Sequence, residues 1–466
     1  MKKNNTMMMI LLSALISLAM TGCNTAVTTD VTESMTMEQT AAETTVSEET
    51  LTDTESAVTR ETIKININPQ TDTAAEEQAP VSETTEETAS VTATASYTAN
   101  TSGMIDTTDL FSDRDLEQTA DLSEAQYLTV SDNNTVNITE AGVYVLSGTA
   151  QNCTVRIEAD KEAKIQLVLD QLTLTNSDSP AVYVVSADKV FITTTDTENS
   201  LTVSGTFTAD GDTNTDAVIY SKEDLVLNGT GTLNITSASG NGITSKDDLK
   251  ITGGTYTISS ALDAIEANDS ISICGGVCSI TSNKDGLHCE NDESEGIIYI
   301  ADGTFTINTA SDGIQAASIL QVDGGTFNIT SSEGMEATYV QINGGTIYIE
   351  ASDDGINAAN KNSSYPVTIE FNGGDTTIIM GQGDTDAVDS NGYIYVNDGT
   401  INITAPTSSF DYDMTAEYNG GTIIINGEQV SEIPQSMMGG GFGGGMPGGG
   451  FGGGRGNHGG FGSGMM

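Results

Sequence analysis

An internal repeat constrains this chain more than any other feature. Between about Asp216 and Thr422 one unit recurs: an acidic residue or Asn, a Gly or Ala, a branched apolar residue, a strand, then Gly-Gly-Thr and a second strand. Asp312-Gly313-Ile314 leads to Leu320-Gln321-Val322-Asp323-Gly324-Gly325-Thr326, and Glu333-Gly334-Met335 leads to Val340-Gln341-Ile342-Asn343-Gly344-Gly345-Thr346. Asp263-Ala264-Ile265, Asp354-Gly355-Ile356 and Asp386-Ala387-Val388 open further copies. From Thr232 to Thr422 the Thr place returns every ~24 residues, too long for a hexapeptide helix and too short for a four-stranded propeller blade. Apolar residues alternate within a copy, as in Leu249-Lys250-Ile251 and Tyr256-Thr257-Ile258, which predicts short strands with one buried side. The Gly pairs supply the positive φ of sharp corners. The fold that satisfies all three signals is all-β: a parallel β-helix whose coils stack, with Ile, Val and Leu ladders filling the interior.

The segment from about Asp109 to Thr208 reads as earlier, less regular coils plus a cap over the open first coil, where an uncovered edge would template aggregation. Gly142–Gly148 and Ile165–Asp170 are its clearest strands.

The ends have different compositions. Lys2 and Lys3 precede an apolar run from Met7 to Met20, so residues 1–22 are expected to be a signal peptide; the run is short for a membrane span. Met20-Thr21-Gly22-Cys23 resembles a bacterial lipobox, which implies acylation of Cys23 and an extracellular protein anchored to the cell membrane. Residues 23–104 are Thr, Glu, Ala, Ser and Val with almost no aromatics, and are expected to form a disordered acidic linker. The solenoid is expected over 105–432, and 433–466 is a tail of Gly, Met and Phe. The whole chain carries 15 Lys+Arg against 66 Asp+Glu, a net charge of −51, which excludes nucleic acid as a natural partner. A monomer is expected.

The runs Phe111-Ser112-Asp113-Arg114-Asp115-Leu116, Leu167-Val168-Leu169-Asp170, Asn176-Ser177-Asp178 and Ala187-Asp188-Lys189-Val190-Phe191-Ile192 resemble one bacterial extracellular family. Asp216-Ala217-Val218-Ile219-Tyr220-Ser221-Lys222-Glu223-Asp224-Leu225 and Ser245-Lys246-Asp247-Asp248-Leu249 carry the same resemblance. That family is named for a carbohydrate-binding domain. It implies a right-handed parallel β-helix similar to polysaccharide lyases, with bound Ca²⁺ and affinity for plant cell-wall polysaccharide.

The acidic residue that opens each copy places Asp263, Asp285, Asp312, Glu333, Asp354 and Asp386 in a column at coil spacing of about 4.8 Å. Carboxylates that close repel and raise their own pKa values unless a cation or hydrogen bonds intervene. Taken singly, a corner Asp is expected to cap its own turn. Ca²⁺ takes oxygen ligands, and three constellations are candidate sites: Asp210, Asp212, Asn214 and Asp216; Asp263, Glu266 and Asp269; Asp384, Asp386 and Asp389. With no Trp, the rings available for sugar stacking are Tyr220, Tyr339, Tyr348, Tyr365, Tyr393, Tyr395 and Tyr412. A surface so rich in carboxylates suits an acidic polysaccharide such as pectate bridged through Ca²⁺. Cellulose would use a flat face of Tyr, Thr and Asn.

Catalysis is less well supplied. His288 and His458 are the two histidines, and His288 occupies the repeat place of Glu266, Gln315 and Glu336, an outward ladder position. A Ca²⁺-dependent lyase would need a Lys or Arg base, and Lys222 and Lys246, in matching runs on neighbouring coils, are the candidates. The competing role for them is ion pairing with Asp224 and Asp248. The expectation is therefore a binding protein without catalysis, with a lyase and a surface adhesin or scaffold as alternatives. Cys278 and Cys289 are expected to point inward from neighbouring coils, and a disulfide between them is conceivable.

Overall fold

The computed structural model describes residues 93–434 apart from 101, 291–294 and 384, all within the unit Glu86–Met466. The signal segment 1–22, the lipidation candidate Cys23, most of the linker and the tail from 435 lie outside the described residues.

Alternation sets the strands and glycine ends them. One coil consists of Tyr339–Ile342, Thr346–Ala351 and Asp354–Ala358, which we call its first, second and third strands; the next is Thr368–Phe371, Asp375–Met380 and Asp386–Ser390. Each strand pairs in parallel with its counterpart one coil on: Ile342 beside Phe371, Ile349 beside Ile378, Ile356 beside Val388. The third strands make a 12-stranded sheet and the other two series join into a 24-stranded sheet. The chain is a parallel β-solenoid.

Inside, Ile258, Ile280, Ile307, Ile329, Ile349, Ile378 and Ile403 stack one per coil, all buried. Each such side chain contributes on the order of 1.5–3 kcal/mol through burial. Phe305 and Phe327 stack in the neighbouring ladder, ring centroids 4.8 Å apart and 8° from parallel. Their strand neighbours Thr304, Thr306, Thr326 and Asn328 face water.

The Gly-Gly corner divides its work between its two residues. A Cβ on Gly373 would stand 2.5 Å from the carbonyl oxygen of Asn343 in the coil beneath, whereas Gly374 adopts φ 79°. The first glycine lets coils stack, and the second makes the turn while also packing closely, since a Cβ on it would stand 2.7 Å from Gly345 O.

The earlier coils lack this corner, and their strands run longer than expected. Lys164–Asn176 is one 13-residue strand, pairing first with Lys189–Thr194 and then with Glu198–Val203. It bends at Gln171, φ 56°, where no glycine interrupts it. At the other end Glu428–Val430 folds back antiparallel on Thr422–Ile425, covering an edge.

Two expectations need correction. The segment that includes Asp109 does not sit over the open first coil: residues 93–118 form a strap along the outside of the first-strand sheet. Asn228 Nδ2 donates to Glu117 O at 2.9 Å, Gly229 N donates to Gln118 Oε1 at 2.9 Å, and Thr252 Oγ1 donates to Asp115 O at 2.6 Å. Asp115, 1% exposed, pairs with Lys189 and Lys250, each at 3.5 Å. Tyr97 meets Phe111 edge-on at 4.8 Å, and the pair covers Cys274 and Tyr299. Ordered packing thus begins before residue 105, inside the stretch read as linker, because Tyr97 and Ile105 supply apolar area that the Thr/Glu-rich residues before them lack. Secondly, Cys278 and Cys289 do point inward but are free thiols. They belong to the second- and third-strand sheets, and each fills a core position of its own.

Candidate functional site

The third-strand sheet carries the chemistry. In Ile265–Ala267 the flanking Ile265 and Ala267 are buried, so Glu266 faces out. Register then stacks Tyr220, Thr244, Glu266, His288, Gln315, Glu336, Asn357 and Asp389 in one column, one per coil.

A second column, at the corner that opens these strands, contains Asp263, Asp285, Asp312, Glu333, Asp354 and Asp386. Asp263, Asp285 and Asp354 hold the next coil rather than their own turns. Asn241 Oδ1 accepts the backbone N–H of Asp263, Asp263 Oδ1 that of Asp285, and Asp285 Oδ1 that of Asp312, each at 3.0 Å. Asp354 Oδ1 accepts from Asp386 N at 3.2 Å. The side chain one coil earlier holds the next coil, because in-register stacking brings each carboxylate beneath the following N–H. Glu333 interrupts the ladder: its longer side chain instead accepts from Asn357 Nδ2 at 3.0 Å.

Cations are distributed unevenly along these columns. Lys246 pairs with Glu266 at 2.9 Å, and Glu266 also accepts from Asn241 and from Thr244. Lys284 meets Asp263 at 2.8 Å and Asp285 at 3.6 Å, while His288 Nδ1 lies 3.4 Å from Asp263. Burial pushes the Asp263 carboxyl up, but His288 and Lys284 outweigh it and hold the pKa down at about 2. Lys361 reaches Glu336 at 2.8 Å.

Farther along, compensation thins to Lys361, which lowers Asp312 and Glu333 without outweighing burial and repulsion. Burial, with Asp285, Glu333 and Glu336 nearby, pushes Asp312 up to about 7. Burial and the charge of Asp389 do the same to Asp354, and burial with Asp386, Asp411 and Asp413 to Asp389, both to about 7. Among the described residues no Lys, Arg or His forms an ion pair with Glu333, Asp354 or Asp389. Beside them Asn357, 8% exposed, donates through Nδ2 to Glu333 and Glu336, while its buried Oδ1 has no hydrogen-bond partner. An orphaned carbonyl oxygen and the carboxylates along this stretch are oxygen donors of the kind Ca²⁺ takes, although among the described residues no three of these carboxylates bring ligand oxygens within 4.8 Å of one another.

The other constellations fare differently. Asp210 is drawn to Arg156 at 3.4 Å and Tyr183 at 3.1 Å, Asp212 is exposed, and Asn214 donates to Asp216. Burial and Glu266 raise Asp216, but the four do not converge. Asp263 and Glu266 are taken by lysines, and Asp269 lies at the next corner, close enough to raise Asp247. Asp384 lies outside the described residues, whereas Asp386 and Asp389 stand together with Asp354 and Asp411. Two groupings escaped the sequence reading: Asp263, Asp285 and His288, and Asp224, Asp247 and Asp248, each bring ligand atoms within 4.8 Å of one another. Burial, then Asp224 and Asp248, push Asp247 up to about 6. The repeated Ser-Lys-acid-Asp-Leu run was the available signal for the second.

The lysine pairings also differ from expectation. Lys222 donates to Thr213 Oγ1 at 2.8 Å rather than pairing with Asp224, and Lys246 takes Glu266 rather than Asp248. Both point along the third-strand face, while Asp224 and Asp248 begin first strands around the corner.

Residues 132–387, more than half the chain, match the profile described as carbohydrate-binding domain-containing protein. The chain belongs to that family. A carbohydrate-binding domain-containing protein of Acetivibrio thermocellus is 35% identical over 136 residues, 28% of this chain and 47% of that protein. The aligned stretch thus spans about half the length of that relative. The polysaccharide lyase-like protein from C. thermocellum, solved as a gadolinium derivative, is 30% identical, with a TM-score of 0.42 over 44% of this chain and 90% of that one.

Proposed function

We propose that this protein is an extracellular lipoprotein, anchored through Cys23, that binds acidic cell-wall polysaccharide such as pectate through Ca²⁺, without turnover. The observation that carries the reading is the uncompensated stretch of the third-strand face. Burial pushes both Asp354 and Asp389 up to about 7, with the charge of Asp389 acting on Asp354 and those of Asp386, Asp411 and Asp413 on Asp389, and Asn357, whose Oδ1 is orphaned, stands in register beside Asp389. Asp354, Asp386, Asp389 and Asn357 would hold Ca²⁺. The ion would offset their repulsion and offer its remaining positions to the carboxylates of a uronate chain. The long outward column would lie along a polymer rather than enclose a small molecule. Lys222 and Lys246, the residues a lyase would use, are engaged with Thr213 and Glu266.

Retention of the secreted chain on immobilised polygalacturonate, with Ca²⁺ and then with chelator, tests this while absorbance reports unsaturated product. Calcium-dependent retention without product is expected. Product would make it a lyase and direct attention to Lys222 and Lys246; absence of retention on polygalacturonate and on cellulose would leave the scaffold reading.

A further inference from the structure

Three residues after each corner acid comes the outward residue of the third strand: Glu266 after Asp263, Gln315 after Asp312, Glu336 after Glu333, Asn357 after Asp354. In one coil that residue is His288, after Asp285, and register sets it beside Glu266 of the coil before. Coil stacking adds Asp263, so one imidazole and two buried carboxylates converge. His288 Nδ1 lies 3.4 Å from Asp263 Oδ2 and 3.6 Å from Asp285 Oδ2. A tetrahedral ion held at ~2.0–2.2 Å by nitrogen and oxygen spaces its donors about 3.4 Å apart. The three groups therefore stand close to that geometry already.

Each donor is oriented from behind. Asp263 Oδ1 accepts the N–H of Asp285 and Asp285 Oδ1 that of Asp312, both at 3.0 Å, which leaves the two Oδ2 atoms for the imidazole side. On the far side of the ring, His288 Nε2 is buried, makes no hydrogen bond and lies 3.6 Å from Glu290 Oε2. A metal on Nδ1 would fix the proton on Nε2, facing Glu290, which is the carboxylate–histidine–metal arrangement that orients imidazole ligands.

The focus of the three donors is held by a cation. Lys284 Nζ lies 2.8 Å from Asp263 Oδ2, 3.6 Å from Asp285 Oδ2 and 3.5 Å from His288 Nδ1. Its side chain is 44% exposed, so the ammonium has a path out to water. Imidazole also sets the ligand class: Ca²⁺ takes six to eight oxygens, whereas a nitrogen with two carboxylates suits Zn²⁺ and its first-row neighbours.

We infer that Asp263, Asp285 and His288 form a binding site for a transition-metal dication of the Zn²⁺ class, with Lys284 as the displaceable cation that holds the site when metal is scarce. The bound ion ties two successive coils together and leaves a position open to water on the side Lys284 vacates. It differs from the proposed Ca²⁺ residues in donor type and in place, since Asn357 stands three coils beyond His288.

Calorimetric titration of Zn²⁺ into the full secreted chain, with Ca²⁺ present in excess, tests it. The parent is expected to bind Zn²⁺, and His288→Gln, which carries the residue found at position 315, to bind it more than about tenfold more weakly with its Ca²⁺ titration unchanged. Lys284→Gln, which removes the competing ammonium, is expected to bind Zn²⁺ more tightly than the parent. Co²⁺ in place of Zn²⁺ is expected to give the visible absorption of a tetrahedral ion in the parent and in Lys284→Gln but not in His288→Gln. Equal Zn²⁺ affinity in the parent and His288→Gln, or no gain in Lys284→Gln, overturns the site. Loss of Zn²⁺ binding in Asp354→Asn/Asp389→Asn assigns the ion to the acidic stretch instead and overturns it too; loss of Ca²⁺ alone in that variant supports two separate sites.

Discussion

Asp285 Oδ1 accepts the backbone N–H of Asp312, one coil on, at 3.0 Å. The same bond joins Asp263 to Asp285, so a repeat that reads as a row of turn residues is a set of rivets between coils. Each carboxylate is buried, and its removal strands a buried N–H. Asp285→Ala is expected to cost ~1–3 kcal/mol in denaturant unfolding. Asp285→Asn, which copies the acceptor that Asn241 provides, is expected to cost less.

Corner stacking makes a second prediction. Gly373→Ala places a Cβ 2.5 Å from Asn343 O, so the coils must part locally. A loss of more than ~1 kcal/mol is expected, read as a lower unfolding midpoint, whereas substitution at exposed Asp398 on the next corner is expected to stay within ~0.5 kcal/mol.

The strap is held by Asp115. Burial pushes this carboxyl up, but the Ser112 N–H at 3.0 Å and the charges of Lys189 and Lys250 leave it below the ordinary Asp value. A depressed folded pKa stabilises above the unfolded pKa, near 4, and is lost as pH falls through the folded one. Hydrogen exchange over residues 93–118 is therefore expected to accelerate below about pH 4 before the solenoid itself exchanges. Asp115→Asn is expected to show the faster exchange already at pH 7.

His288 works in the opposite direction. Burial lowers its pKa, but Asp263 and Asp285 outweigh this and, against the opposing charge of Lys284, raise it above the ordinary value. Glu290 also faces the ring, at 3.6 Å. A raised folded pKa stabilises below the unfolded value, near 6.5, and the contribution disappears as pH rises through the folded one. His288→Gln is expected to flatten the pH dependence of stability above pH 6, followed by thermal unfolding.

Much of this architecture was legible because period-two alternation and Gly-Gly corners are local signals. Leu249-Lys250-Ile251 reads as in, out, in, and folds so. The Asp column was legible as a column but not as a ladder, since the partner of Asp285 lies 27 residues away in sequence. The lysines were read against acids nearby in sequence, Asp224 and Asp248, whereas coil stacking delivers Lys246 to Glu266 across the column. The strap was missed in part because Tyr97 and Ile105 are isolated apolar residues with no period, and their partners Tyr299 and Cys274 are far along the chain.

The most direct test of the central claim is calorimetric titration of Ca²⁺ into the full secreted chain and into Asp354→Asn/Asp389→Asn. The parent is expected to bind Ca²⁺ and the double variant to lose a site, together with calcium-dependent retention on polygalacturonate. Identical calcium stoichiometry and polygalacturonate retention in the two proteins would contradict the account.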